Sequence, residues 1–258
     1  MELENGKIAV LIDAENTQPK KLSSVLQEIS LYGHIITKRA YSNWKKSSKD
    51  WENVIRDNAI TPIQQFANTK GKNSSDITLV IDAMDLLYTR KYDIFVIVSS
   101  DSDFTKLVTR IHDDEIKVIG VGENKTPSSL IKACDEFIFL ENLDSEEEPI
   151  EEKNEETLAP EKNNSLIVNT MSTNDKTKLL RKLRKIADND KYSDDEGWVN
   201  IGAAGSIIKR NDPSFDSRNY GFPTLLKLLK SLDKSVELRK RENATGQAVI
   251  NEFRLRNK

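Results

Sequence analysis

Over its first half the chain alternates short β-branched runs with stretches of helical periodicity, and that alternation constrains the fold more than any other feature. KIAVLI at Lys7 to Ile12, GHIITKRAY at Gly33 to Tyr41, DIFVIVS at Asp93 to Ser99, EIKVIGV at Glu115 to Val121 and EFIFL at Glu136 to Leu140 read as strands. Helical patterns at Gln18 to Leu31, Asp50 to Phe66, Ser75 to Tyr88, Phe104 to Asp113 and Ser128 to Ala133 lie between them. Apolar strands separated by helices describe an α/β fold: a mostly parallel sheet that needs helices on both faces to keep it from water. In such sheets a ligand site lies beyond the carboxyl ends of the strands, where the strand order reverses.

At 258 residues the chain has room for two domains, taking roughly 100–150 residues for each. Residues 1–143 hold 18 Lys/Arg and 21 Asp/Glu, residues 144–173 hold 2 and 9, and residues 174–258 hold 19 and 12. The middle stretch is acidic and has too little apolar surface to offset the entropy of ordering, so it reads as a flexible linker. The last segment is basic, the sign that suits a polyanion. No apolar run approaches the ~18–20 residues of a membrane helix. The opening MELENGKIAVLIDAEN puts acids before a short apolar run with no small-residue cleavage site, so no signal peptide is read and a cytoplasmic location is expected. A single cysteine, Cys134, excludes an internal disulfide and a cysteine-based zinc site.

The strand ends carry carboxylates. Asp13 follows the first strand within LIDAEN, and Asp101 and Asp103 follow the third within SDSDF. If those two strands are neighbours, three carboxylates meet at one sheet edge. Asp76 joins them from the first turn of the Ser75 to Tyr88 helix, where Ser74 or Ser75 can cap. On that helix Ile77, Val80, Ile81, Met84 and Tyr88 form one apolar stripe, and Asp82 falls nearly opposite it, as solvated surface. Converging carboxylates repel and are stable as anions only beside a cation. Oxygen ligands suit Mg²⁺ or Mn²⁺ rather than zinc, ions that can activate water and stabilise the leaving oxygen of a phosphodiester. Taken singly, each of these residues is an ordinary turn, cap or first-turn acid; their joint placement favours a site.

LIDAEN, KGKNSSDITLVIDAMDLLY, IFVIVSSDSDF and VIGVGENKTPSSLIKACDEFIFL, in this order, resemble the NYN group of PIN-like nucleases, including LabA-like bacterial proteins. The resemblance covers about residues 6 to 143. It implies a metal-dependent ribonuclease, expected to act as an endoribonuclease, with Asp13, Asp76, Asp101 and Asp103 as catalytic metal ligands for Mg or Mn. Asn16 would orient substrate or a metal-bound water. Ser99, at the end of its strand, is a further substrate contact, and Ser100 stands where a glycine is common in the family.

Lys38, Arg39, Lys45, Lys46 and Lys49, interleaved with Tyr41, Trp44 and Trp51, suit phosphates and unpaired bases, or equally an ordinary lysine-rich loop over buried tryptophans. Lys70 and Lys72, just before Asp76, are candidate phosphate contacts. His34 and His112 read as structural or surface residues, and Cys134 as a small buried hydrophobe. From about Lys176, three helical patterns precede VELRKR and AVINEFRL, a two-stranded ribbon joined by ENATGQ, which describes a winged helix. G-W-V-x-I followed by R-N-Y-G-F-x-x-L-x-x-L-L resembles the OST-HTH domain, also called LOTUS. That resemblance implies RNA binding, with protein partners as an alternative use. Trp198, Tyr220 and Phe222 read as core. Lys209, Arg210, Arg218, Arg239, Lys240 and Arg241 are the candidate RNA contacts, or else a solvated face.

The domain expectation is therefore 1–143 as a nuclease domain, 144–173 as linker and 174–258 as an RNA-binding winged helix. A rival is a non-catalytic RNA-binding regulator with a vestigial acidic site. A phosphatase of the haloacid dehalogenase type would use Asp13 but wants Asp where Glu15 stands. A Toprim-type site would use Asp101 and Asp103 but wants a glutamate from its first strand.

Overall fold

In the computed structural model, which describes residues 6–46, 49–66, 74–143, 171–242 and 249–256, the chain divides into two compact units. The first is built on β1 Lys7–Asp13, β2 His34–Ser42, β3 Thr61–Gln64, β4 Ile94–Val98, β5 Lys117–Gly122 and β6 Glu136–Phe139. These strands are all parallel, in the order β3-β2-β1-β4-β5-β6. Helices α1 Leu22–Ser30, α2 Lys49–Asp57, α3 Ser74–Tyr88, α4 Thr105–Asp113 and α5 Ser128–Ala133 make the crossovers.

β1 shows why the fold is doubly wound. Ile8 through Ile12 are wholly buried, and alternate residues face opposite ways. Ile8, Val10 and Ile12 join a core with Leu22, Val25 and Ile29 of α1 and Trp51 of α2. Ala9 and Leu11 join a second core with Leu79 and Ala83 of α3 and Val108 and Ile111 of α4. The chain winds outward from β1 toward β3 and from β4 toward β6, so the order reverses between β1 and β4. The two strands pair directly, as the site argument requires.

Two expectations fail. The helix expected over Asp50 to Phe66 ends at Asp57; Ala59 takes a positive φ of 50°, and Thr61–Gln64 becomes β3. Pro62 carries no N–H and is tolerated there because β3 is an edge strand, paired with β2 alone. The expected apolar stripe of α3 divides, with Val80 and Met84 packed against the core and the other three turned outward. Ile77, Ile81 and Tyr88 are 60%, 58% and 66% exposed, while Ser75, Leu79, Ala83, Leu86 and Leu87 are buried. Both faces of this helix are apolar, so periodicity could not choose between them. Asp82 helps to fix the orientation: it accepts from Arg39 and Tyr41 on β2, and is not solvated surface.

The second unit contains α6 Thr173–Ala187, β7 Val199–Asn200, α7 Ile201–Asn211 as far as Ile208, α8 Leu225–Lys230, β8 Val236–Glu242 and β9 Val249–Leu255. The three strands form an antiparallel sheet in the order β7-β9-β8. Ser172 caps α6 by accepting from Asp175 N, and Thr224 caps α8 by accepting from Lys227 N. Leu179, Leu183, Ala204, Leu228 and Phe253 are buried. Three helices with a hairpin wing give the winged-helix arrangement expected; most of the ENATGQ turn lies outside the described residues.

Truncating β1 at its centre tests this layering. Leu11→Ala should lower the unfolding free energy by about 2–5 kcal/mol, read from chemical denaturation; an unchanged midpoint would contradict the packing described.

Candidate active site

Asp13 ends β1 with its residue 1% exposed. A carboxylate this deep needs donors, and the neighbouring turns provide them. Ser99 Oγ donates to Asp13 Oδ2 at 2.8 Å, Asn16 Nδ2 donates to the same oxygen at 2.9 Å, and the Glu15 amide donates to Oδ1 at 3.2 Å. Burial nevertheless holds the Asp13 carboxyl above its ordinary range, against the lowering effect of these hydrogen bonds. Ser99 Oγ also accepts from the Asp101 amide at 3.0 Å, and Asp101 Oδ1 accepts from the Asp103 amide at 2.9 Å. One hydroxyl therefore ties the end of β1 to the turn after β4.

Asp76 stands in the first turn of α3. Its carboxyl is pushed up to about 6, first by burial and then by the charges of Asp13, Asp101, Glu15 and Asp103. The four expected carboxylates thus share one electrostatic environment. Glu15 is a fifth member that the sequence reading did not select. Its Oε1 accepts from Ser75 Oγ at 2.9 Å and from the Asn43 amide at 3.3 Å, linking the β1 turn to α3 and to the end of β2. The signal was its place two residues after Asp13, at the same strand end.

This donor set is all hard oxygen, and its mutual repulsion is what a divalent cation would relieve, so the residues fit Mg²⁺ or Mn²⁺. Among the described residues no three or more His, Cys, Asp or Glu side chains form a preformed metal cage. Two expected substrate contacts have different roles. Ser99 is 2% exposed and spends its hydroxyl between Asp13 and Asp101. Asn16 turns its amide to Asp13. Both orient the carboxylates. Ser100 Oγ accepts from the Glu123 amide at 2.9 Å, which fixes the turn after β5.

Beside the carboxylates opens a polar crevice of about 500 Å³, whose lining includes Glu15, Gln18, Asp101, Glu123, Lys125 and Pro127. The basic and aromatic segment after β2 divides by residue. Tyr41 and Trp51 are buried, Trp44 Nε1 donates to Ile63 O at 2.9 Å, and Arg39 pairs with Asp82. Lys45 remains exposed, its ammonium 4.8 Å from the Phe66 ring centroid. The Lys46 side chain, Lys70 and Lys72 lie outside the described residues. Cys134 is buried, its thiol donating to Leu130 O and pushed up to about 12 by that burial.

In the winged helix, Lys209 and Arg210 stand in the last turn of α7. Arg239 departs from the expected role. Its guanidinium pairs with Asp194 at 2.8 Å, Glu196 at 3.1 Å and the buried Glu252 at 2.7 Å, and lies 4.3 Å from the Trp198 ring centroid. A cation so committed braces the wing against the Trp198 turn. Arg241 shares Glu252 at 3.2 Å with its side chain 57% exposed, and Lys240 is exposed. Arg218 pairs with Asp216. Trp198 is buried, as expected of a core residue, while Tyr220 and Phe222 are half-buried.

Residues 7–141 match the NYN domain and residues 173–246 the OST-HTH/LOTUS domain. The chain is similar to an uncharacterized protein of Methanocaldococcus jannaschii, 26% identical over 153 residues, which are 57% of this chain and 61% of that protein. It is also similar to the crystal structure of a protein of unknown function from Vibrio parahaemolyticus, with a TM-score of 0.46 and 20% identity over 54% of this chain and 95% of that one. The match over residues 7–141 covers more than half of the sequence, and the strand-end carboxylates it contains are those just described: the chain belongs to the NYN domain family of PIN-like nucleases and carries an OST-HTH/LOTUS domain behind it.

Proposed function

We propose that the protein is a metal-dependent endoribonuclease whose winged helix captures RNA. The observation that carries this reading is the gathering of carboxylates at the β1–β4 switch point, where Ser99 ties Asp13 to the Asp101 turn and Glu15 reaches Ser75 beside Asp76. Asp13, Asp76, Asp101 and Asp103 would hold Mg²⁺ or Mn²⁺, with Glu15 alongside. When bound, such an ion supplies a lowered water pKa and charge neutralisation at the phosphate. The chain's own contribution is positional. Ser99 and Asn16 hold Asp13, and the Asp101 and Asp103 amides lock the turn after β4. Lys45, which is exposed, is a further proposed contact of the RNA backbone. Arg210, Lys240 and Arg241 are the proposed RNA contacts of the winged helix. A protein partner on that domain is the alternative use. We assign the protein to the cytoplasm; residues 144–170 of the expected linker lie outside the described residues.

Labelled RNA with Mn²⁺ or with EDTA tests the chemistry. Asp13→Asn and Asp101→Asn should each remove metal-dependent cleavage, and Ser99→Ala, which only misorients a ligand, should cost about 10–100-fold. Full activity in both aspartate variants would sink the reading of these carboxylates as the metal site, and no Mn²⁺-dependent cleavage by the unsubstituted protein would leave a non-catalytic RNA-binding protein.

The charge cluster also predicts a pH dependence. The folded-state Asp76 carboxyl titrates near 6, above its ordinary 3.8, so the folded state binds the proton more tightly than the unfolded one. Ionised Asp76 therefore costs stability, a cost absent below about pH 4 and complete above about pH 6. In EDTA, Asp76→Asn should raise Tm at pH 7.5 and lose that advantage by about pH 4; an equal Tm at both pH values would contradict the cluster.

RNA capture is tested in the full chain. Arg210→Ala with Lys240→Ala and Arg241→Ala should weaken RNA binding across many sequences and flatten the salt slope by about one for each phosphate no longer neutralised. Unchanged affinity and slope would reassign the winged helix to protein partners.

A further inference from the structure

The crevice beside the carboxylates presents one carboxylate that the hydrolytic reading leaves unused. Glu123 follows β5, and its backbone is pinned. The Glu123 amide donates to Ser100 Oγ at 2.9 Å, and its carbonyl accepts from Thr126 Oγ1 at 2.6 Å. Gly122, just before it, has no room for a side chain: a Cβ would stand 2.8 Å from Thr126 Oγ1 and 2.9 Å from Ser100 Oγ. The partners of the Glu123 carboxylate are, by contrast, surface side chains. Gln18 Nε2 donates to Oε1 at 3.3 Å, and Lys125 Nζ lies 2.6 Å from Oε2 with its side chain 76% exposed. Exposed pairs of this kind are weak and exchange readily.

We propose that this crevice is a guanine-selective nucleotide subsite, in which Glu123 accepts the N1–H and N2–H of the base while Lys125 or Gln18 donates to O6. Only its role beside the scissile phosphate rests on the nuclease reading above.

The selectivity follows from donor order. Guanine is the one RNA base with two N–H donors side by side on its Watson–Crick edge, next to a carbonyl. A carboxylate has two acceptors and no donor, so it satisfies both. Adenine and cytosine each place a ring-nitrogen lone pair beside their single amino group, and uracil flanks its N–H with two carbonyls. Against Glu123 each of these bases would turn a lone pair toward an anion, which rejects it. The hydrogen bond and charge of Lys125 hold the Glu123 carboxyl below its ordinary range, so it stays an acceptor at neutral pH. A volume of about 500 Å³ suits a nucleotide, and Pro127 offers an apolar ring to the base. Glu15 and Asp101 belong both to the crevice wall and to the carboxylate set around Asp76, so the two sites adjoin.

The test titrates the full-length protein with GMP, IMP, AMP, CMP and UMP in Mg²⁺ buffer by calorimetry. GMP should bind about tenfold tighter than IMP, which lacks only the N2 amino group, and than the other three. Glu123→Gln, which replaces one acceptor with a donor, should remove that preference at an unchanged Tm. The GMP to IMP comparison uses the wild-type protein and does not depend on the variant folding. Equal binding of all five nucleotides, or binding of none, overturns the proposal. A GMP preference in a protein that cleaves no RNA supports the subsite while removing the nuclease reading. Cleavage of randomised RNA without guanine enrichment at the cut ends, together with equal nucleotide binding, removes the subsite and leaves the nuclease.

Discussion

A carboxylate buried at the carboxyl end of the central strand is the constraint on which the rest of the first unit turns. Asp13 is tolerable there only because Ser99, Asn16 and the Glu15 amide donate to it. Satisfying it fixes the turn after β1 and the turn after β4 against each other, and the same Ser99 hydroxyl sets the amide of Asp101. The doubly wound sheet makes this possible by bringing β1 beside β4 where the strand order reverses. Stability favours covering such a group with apolar side chains; here the surroundings are instead more carboxylates.

Burial first, and then the charges of the neighbouring carboxylates, push the Asp76 carboxyl up to about 6. Folding alone gives no reason to bring Asp13, Glu15, Asp76, Asp101 and Asp103 into one electrostatic environment. The account is that charge repulsion in the isolated chain is relieved by a divalent cation, so that the site is poised by its own strain to take one. On the proposed reading, the exposed cations of the winged helix gather a polyanion rather than transform it.

Much of this was legible in the sequence, because the features concerned repeat with strong periods or sit at strand ends. The β1, β4, β5 and β6 runs are apolar on both faces and could be read directly, and the strand-end aspartates followed from them. β3 was hidden because four residues behind a helix carry little periodic signal, and Pro62 was the one mark against continuing that helix. The inward face of α3 was misread because Ile77, Ile81 and Tyr88 make as good a stripe as Leu79, Ala83 and Leu86; only the Arg39 and Tyr41 partners of Asp82 break the tie, and those lie on another element. Arg239 likewise reads as a free wing cation until Asp194, Glu196 and Glu252 are folded around it. Ser99 and Asn16 are read from the sequence as substrate contacts, because a hydroxyl or an amide at a strand end can face either substrate or carboxylate, and here both donate to Asp13. Long-range polar partners are what a linear reading lacks.

The most direct measurement is an anomalous difference map from crystals of the full chain soaked in Mn²⁺. The account predicts a peak ligated by Asp13 and Asp101, with Asp76 or Asp103 within reach of it or of its water. Saturating Mn²⁺ with no peak among these carboxylates, or a peak confined to residues elsewhere, would contradict the claim that their repulsion exists to hold a metal ion.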